Sequence, residues 1–412
     1  LNIHNIKILS QMMIDKDVLK LFYNIYKINK KDPDYNAINS LKALFIMLKD
    51  EKIVKHNDKY ILTSFMPPIP SKAFLTNVLA VKNKNTPFKD KIYSNRTAPV
   101  SFYLALTSKC NQRCIYCSQK GVEGKKELTT DDWIKIIKTL QNMNTSIIGF
   151  TGGEPMMRDD ICEIISAVDD RSITYLFTTG YSLNKKKMQQ LKNAGLFGIS
   201  ISLDSHIKEI HNKNRGIEDA FETAVNGIKL SAETGFYTMA QMVVTKEMLN
   251  KKMLFEYFEF AKKIGVDEVK LLEPIRSGNL IINNNEEIFI TKKNKEFLHK
   301  IQKEANKISH FPKITTFSHT ESKERYGCGA GSQHSYINCY GDLYPCDFVP
   351  LSFGNVLTEN VDVLWNAMNK AIGKPKTECF GQCVNKEIQK NKLSLPLSKE
   401  ESFKIAEKWQ SK

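Results

Sequence analysis

Between residues 101 and 310 short apolar runs alternate with longer amphipathic ones, and this alternation constrains the fold more than any other feature of the chain. The runs FYLALT, SIIGFT, TYLFTT, GISISLD, YTMAQMVVT and EVKLLEP read as strands. Between them lie helical stretches such as TDDWIKIIKTLQNM, in which Trp133, Ile136, Ile137 and Leu140 recur at helical spacing. Thr130 is the expected N-cap of that helix, with Asp131 and Asp132 in its first turn. Successive β-α units imply a parallel sheet with right-handed crossovers. Ligands of such sheets gather at the carboxyl ends of the strands.

The unusual residues fall on that one rim. SKCNQRCIYCSQ (108–119) follows the first strand, TGGEP (151–155) the second and TTG (178–180) the third, while SLD (202–204) ends the fourth. Cys110, Cys114 and Cys117 form a CxxxCxxC triad with no fourth thiol. Iron–sulfur clusters are usually held by four thiolates. Three on one loop can hold three irons of a [4Fe–4S] cube and leave the fourth iron open to a substrate or cofactor. A zinc site of three Cys and one His competes, although no His lies between Cys117 and Asp204. On spacing alone both readings stand. The glycines of TGGEP let backbone approach a ligand closely, and the Glu beside them can receive an ammonium group. An ordinary tight turn is the plain alternative, but it leaves the shared rim unexplained.

Taken together, CNQRCIYC, with Tyr116 just before the third cysteine, and FTGGEP about a helix later resemble the radical S-adenosylmethionine (radical SAM) superfamily over roughly residues 100–280. The resemblance implies a partial (β/α)6 TIM-like barrel. It implies that Cys110, Cys114 and Cys117 hold a [4Fe–4S] cluster whose open iron binds the amino and carboxylate groups of SAM. Reductive cleavage of SAM would then give methionine and a 5′-deoxyadenosyl radical that abstracts hydrogen from substrate. By the same resemblance Gly152, Gly153 and Glu154 meet the methionine amino group and Tyr116 lies near adenine. Ser202 and Asp204 are candidates for ribose and polar contacts. Arg215 matches the Arg that pairs with the SAM carboxylate, a solvent-facing Arg being the alternative. TTG stands where relatives often carry TNG, so Thr179 can hydrogen-bond while its ribose role stays open.

Further on, GCGAGSQHSYINCYGDLYPCDFVPLSFGNV begins at Gly327 and ECFGQC spans 378–383. A strand, a Gly-Asp turn and a second strand ending at Pro-Cys describe a hairpin. This resembles the SPASM or twitch extension of radical SAM enzymes, in which cysteines flanking a hairpin and a later pair hold auxiliary clusters. Cys328, Cys346, Cys379 and Cys383 match such positions. Two fully ligated cubes need eight thiolates, and too few cysteines remain for that, with Cys162 reading as a helix residue in DDICEIISAV. One auxiliary [4Fe–4S] cluster is therefore expected, a four-Cys zinc site being the competing reading. Cys339 is a spare thiol or a substitute for one of the four. His310, His319 and His334 read as structural or surface residues, and Glu273 as an inner-wall residue or a partner of Arg276.

Ahead of the barrel, DKDVLKLFYNIYKI and NAINSLKALFIMLKDEK read as helices and IVKHNDKYILTSF as a hairpin about a His-Asn-Asp turn. A winged-helix-like or peptide-docking module is expected, followed by a linker at MPPIPS. The expected division is a module at 1–98, a barrel at 99–310 and an auxiliary-cluster domain at 311–412.

The net charge of +15 raises the question of nucleic acid, yet only seven of the 60 basic residues are Arg, the residue suited to bidentate phosphate and base contacts. A solvated Lys-rich surface is the reading preferred here. No apolar run is long enough for a membrane span, and the first residues lack the order of a signal peptide, so a cytoplasmic location is expected. The implied partners are a peptide, protein or small-molecule substrate and a reductant such as flavodoxin or ferredoxin. The function expected is peptide or protein modification by radical SAM chemistry. A small-molecule dehydrogenase or cyclase is one alternative, and an iron–sulfur sensor that binds nucleic acid is another.

Overall fold

The structure is a computed structural model that describes residues 3–31, 48, 50–81, 96–120, 126–283, 286–322, 325–391, 395 and 397–410. In the N-terminal module, helices Ile3–Ile14 and Lys16–Asn29 precede a hairpin of β1 (Val54–His56) and β2 (Lys59–Ile61), and helix Lys72–Leu79 follows. The expected helix at NAINSLKALFIMLKDEK lies mostly outside the described residues. The register pairs His56 with Lys59, so the turn is Asn57-Asp58, with Asn57 at φ +51 in the left-handed region that Asn tolerates. MPPIPS is not a free linker. Ile69 is fully buried and its N–H donates to the Tyr60 carbonyl at 2.9 Å, because this position between prolines still offers a donor to the hairpin edge.

The six expected strands are present and parallel, side by side in chain order: β3 (Ser101–Ala105), β4 (Ile147–Thr151), β5 (Ile173–Thr178), β6 (Gly198–Ser202), β7 (Tyr237–Val243) and β8 (Glu268–Leu272). Helices cover the outer face, where Phe102, Ile148, Leu176, Ile199 and Leu271 pack against residues such as Trp133 and Ile137. The sheet extends at both edges. β9 (Lys313–Thr316) pairs in parallel with β8, and β10 (His334–Ile337) pairs in parallel with β3 while forming the late hairpin with β11 (Leu343–Tyr344). Residues on either side of 310 thus share one sheet. The helix after the cysteine loop spans Thr130–Asn142, and its N-cap is Thr129 rather than Thr130. Thr129 and Asp132 form a reciprocal capping box, while the Thr130 hydroxyl donates to Asp160 at 2.5 Å.

The N-terminal module closes the end of the barrel remote from the cysteine rim. Glu51 is buried between Lys313 and Arg325, and Lys313 also donates to the Lys52 and Leu62 carbonyls at 3.0 Å each. Ser64 donates to Glu268 at 3.0 Å. Lys313 and Glu268 open their strands, so these contacts lie at the amino ends. Ile61 of the hairpin joins Ile147, Ile173, Tyr175 and Tyr237 in the apolar plug of that end. No helix among the described residues is long and apolar enough to cross a membrane.

Candidate functional site

The three cysteines stand on the loop after β3. Cys110 is exposed and Cys114 and Cys117 are half-buried. The loop's backbone is held from four sides. Glu127 accepts the Ser108 N–H and hydroxyl, both at 2.8 Å, and the Thr107 hydroxyl at 3.0 Å. The Gly153 and Glu154 amides donate to the Thr107 and Lys109 carbonyls at 2.7 Å each. A Cβ on Gly153 would fall 2.2 Å from the Lys109 carbonyl oxygen, and Gly152 sits at φ +137. The close approach that this Gly-Gly permits is therefore to the cysteine loop itself. From the β8 side Asn279 donates its amide to the Cys117 carbonyl at 2.9 Å and its side chain to the Cys114 carbonyl at 2.7 Å. From helix Lys208–Arg215 the Arg215 and Asn214 carbonyls accept the Arg113 and Ile115 amides at 2.9 and 3.1 Å.

Burial raises the Cys114 thiol, with Arg215 opposing the rise. Crowded thiols of this kind ionise when a positive centre joins them, and the thiolate is the ligand form. Three soft donors on one braced loop, with Cys110 exposed, fit the attachment of three irons of a cube.

Beside the loop lies a buried ionic network. Asp204 is fully buried and pairs with Arg215 through two hydrogen bonds of 2.8 Å. It also accepts the Tyr116 hydroxyl and, at 3.1 Å, the Val243 amide. Burial opposes the Arg215 charge, but Asp204 overrides it and holds the guanidinium well above its ordinary value. The remaining nitrogen, Nη1, lies 3.8 Å from Cys114 Sγ. Arg215 therefore does not face solvent. The Asp204 carboxylate, expected to be free for a ribose or polar contact, is already occupied by three protein groups. Tyr116, expected near adenine, has its hydroxyl tied to Asp204 and its ring 5.4 Å from the Arg215 guanidinium. Ser202 is half-buried at the end of β6.

Glu154 is likewise fully buried. One oxygen accepts the Thr178 hydroxyl at 2.7 Å and the Met156 amide at 3.0 Å; the other accepts the Thr179 amide and hydroxyl, both at 2.7 Å. Burial raises its pKa against these four donors. With every acceptor position taken, this carboxylate offers a place to a ligand ammonium only when the Thr178 or Thr179 hydroxyl rotates away. Thr178 and Thr179 thus orient Glu154, a role not read from the motif TTG.

The late cysteines are brought together only in part. Cys328, Cys346 and Cys379 line one small pocket with Glu273 and Glu321. Ligand atoms of Glu321, Cys328 and Cys379 lie within 4.8 Å of one another. Cys379 caps helix Phe380–Lys390 at its N-terminus, and Cys383 stands one turn along, half-buried, its Sγ 3.9 Å from a Glu378 carboxylate oxygen. Glu273 pairs with Lys295 at 2.5 Å and not with Arg276, which pairs with Glu286. Cys339 is buried elsewhere, with burial raising it to about 11 and Glu127 and Ser108 as neighbours. Cys162 is half-buried against the outer core. His319 is buried and stacked on His299, His334 bonds to Ser101 at 2.8 Å, and His310 pairs with Glu259 at 2.9 Å.

Two family models match this chain. The radical SAM superfamily model matches residues 104–261, and that of an iron–sulfur cluster-binding domain, SPASM, matches residues 328–385. The chain is 30% identical over 191 residues to a probable GTP 3′,8-cyclase of Saccharolobus islandicus, covering 45% of this chain and 61% of that protein. It thus spans only about three-fifths of the length of these curated relatives. It is 25% identical over 293 residues to an AdoMet-dependent heme synthase of Methanosarcina barkeri, covering 65% and 82%. Among solved structures, Streptococcus suis SuiB bound to S-adenosylmethionine superposes with a TM-score of 0.55 at 17% identity, over 71% of this chain and 70% of that one. The enzyme anSMEcpe with bound AdoMet superposes with a TM-score of 0.52 at 17% identity, over 76% and 93%. At these identities the likeness shows the fold.

Proposed function

We propose that this chain, which belongs to the radical SAM superfamily and carries a SPASM-type iron–sulfur domain, modifies a peptide or protein. The two domains bring with them a SAM-binding [4Fe–4S] cluster and auxiliary iron–sulfur chemistry. When bound, the first cluster supplies the electron that cleaves SAM, and the resulting 5′-deoxyadenosyl group removes hydrogen from substrate. In our reading Cys110, Cys114 and Cys117 hold that cluster. Arg215, fixed by Asp204 with its Nη1 3.8 Å from Cys114 Sγ, receives the SAM carboxylate. Gly152, Gly153 and Glu154 receive the amino group, with Thr179 turning to make room. Tyr116 and Ser202 border the nucleoside. Cys328, Cys346 and Cys379 hold one auxiliary [4Fe–4S] cluster, and Cys383 completes the set from the next helical turn. The module (1–98), barrel (99–310) and extension (311–412) supply docking surface, reaction chamber and auxiliary cluster in turn. A flavodoxin- or ferredoxin-like reductant in the cytoplasm completes the scheme.

The observation that carries the peptide reading is on helix Lys16–Asn29. Leu19, Tyr23 and Tyr26, at i, i+4 and i+7, are 52, 62 and 48% exposed. Such an apolar and aromatic stripe suits a docked peptide segment. Two structural relatives support it, SuiB with the precursor peptide SuiA bound and anSMEcpe with a peptide bound. The test is 5′-deoxyadenosine formation by the reconstituted enzyme with a short peptide encoded beside it. Peptide-stimulated turnover that is lost in the Leu19→Ser/Tyr23→Ser/Tyr26→Ser variant is expected. Turnover indifferent to the peptide would favour the second reading, small-molecule radical chemistry, which the cyclase and heme synthase relatives support.

A further inference from the structure

Inside the barrel the inward-facing side chains change character with height. Near the carboxyl ends Thr151, Phe177, Ser202, Gln241 and Val243 are half-buried while their outward neighbours are buried, so the lumen opens toward the cysteine rim. Beneath them lie the rings of Tyr103 and Tyr175, an aromatic floor on which Phe177 rests through Tyr103. Gly149 and Gly198 make room for it: a Cβ at Gly149 would fall 2.4 Å from the Tyr103 ring, and one at Gly198 3.0 Å from the Tyr175 ring.

Lys270 projects into this floor from β8 and is 1% exposed. Its ammonium lies 5.5 Å from the centre of the Phe65 ring and 5.7 Å from those of Tyr175 and Phe177. Among the described residues no carboxylate forms an ion pair with it. Glu268, two residues away on the same strand face, is committed: one oxygen accepts the Ser64 and Thr315 hydroxyls at 3.0 and 2.7 Å, the other the Tyr237 hydroxyl at 2.8 Å. Two further donors of the lumen, the buried Tyr175 and Ser200 hydroxyls, have no hydrogen-bond partner among the described residues. A buried ammonium with no carboxylate at ion-pair distance is costly, and ring contacts offset only part of that cost. Burial accordingly lowers the Lys270 pKa, although the Glu268 charge on the same strand face opposes the fall.

We infer that the lumen is built to take a carboxylate on an apolar stem, with Lys270 as its counter-ion and the Tyr175 and Ser200 hydroxyls as further donors. One ammonium and two hydroxyls match a single negative charge, and the rings flank the stem. The inference rests on reading the lumen as the substrate chamber of a radical SAM enzyme. Two sources share this chemistry, a free organic acid and an acidic side chain of a peptide.

The test is calorimetric titration of the cluster-loaded, SAM-bound enzyme with benzoate, with benzamide as its uncharged control, and with the tripeptide acetyl-Ala-Glu-Ala-amide. Lys270→Met keeps the length and removes the charge; Tyr175→Phe removes one donor and serves should the first variant fail to fold. Saturable benzoate binding that weakens at least tenfold in Lys270→Met, or severalfold in Tyr175→Phe, is expected for a free acid. The same loss with the tripeptide is expected for a peptide carboxylate. No probe weakened by either substitution, or benzamide bound as tightly as benzoate, would overturn the inference. 5′-Deoxyadenosine formation by the wild type without any probe is followed in parallel. Its presence alongside failed titrations removes the inference alone, and its absence removes the reading beneath it as well.

Discussion

Replacing Asp204 by Asn keeps the shape of the side chain and removes the charge that faces Arg215. Arg215 is 6% exposed and Asp204 is fully buried, so water does not take over the lost interaction. Removing one partner of a buried pair costs about 3–5 kcal/mol, because the other charge is left uncompensated. At about 2 °C per kcal/mol for a cooperative unit of this size, the midpoint of thermal unfolding falls by roughly 6–10 °C. The assay is anaerobic thermal denaturation of the metal-free protein, so that cluster loading does not enter. A second variant separates stability from ligand binding. Asp204→Leu with Arg215→Met replaces the pair by apolar groups and should recover most of the stability, as such replacements do elsewhere. It should still fail to bind SAM, because the carboxylate partner is gone. A single variant within about 1 °C of the wild type would refute the buried-pair argument. A double variant that binds SAM normally would refute the role given to Arg215.

Other consequences follow from the same contacts. Burial raises the Glu154 pKa above its unfolded value of 4.5, so the folded state binds this proton more tightly. Its contribution to stability is complete below pH 4.5 and is lost as pH rises through the folded value; Glu154→Gln should flatten that fall in thermal scans across pH, and an unchanged slope would count against it. Glu51→Ala leaves Lys313 and Arg325 buried without their shared carboxylate and should cost about 3–5 kcal/mol in urea denaturation, an unaltered midpoint being the contrary result. Cys328→Ser, Cys346→Ser and Cys379→Ser should each lower the iron content by about four per chain while Cys162→Ser leaves it unchanged. Full iron in Cys379→Ser would place the auxiliary cluster elsewhere.

The six strands of the barrel were legible because parallel strands buried on both faces read as nearly continuous apolar runs. β9 was not. Its KITT sequence is polar because Lys313 meets Glu51, 262 positions away, and no local pattern announces a counter-charge so distant. The N-cap was misplaced by one residue because Thr129 and Thr130 are adjacent hydroxyls, and only geometry shows that Asp132 closes on the first while Asp160 draws the second. In the site, residue types and their shared rim were legible from the triad, the Gly-Gly and Glu154. Their partners were not: Asn279 holds the Cys114 carbonyl across 165 positions, and Ser-Gly-Asn reads as an ordinary turn. Asp204 was read by its position at a strand end, whereas its chemistry is decided by Arg215, Tyr116 and Val243.

The central claim is that the loop of Cys110, Cys114 and Cys117 holds a cluster at which SAM is cleaved. The most direct measurement is anaerobic reconstitution of the wild type and of the Cys110→Ala/Cys114→Ala/Cys117→Ala variant, with iron and sulfide counted and 5′-deoxyadenosine measured after SAM and dithionite are added. About eight irons falling to about four, with 5′-deoxyadenosine formed only by the wild type, is the result this account predicts. Zinc in place of iron, or a fully loaded wild type that leaves SAM intact, would contradict it.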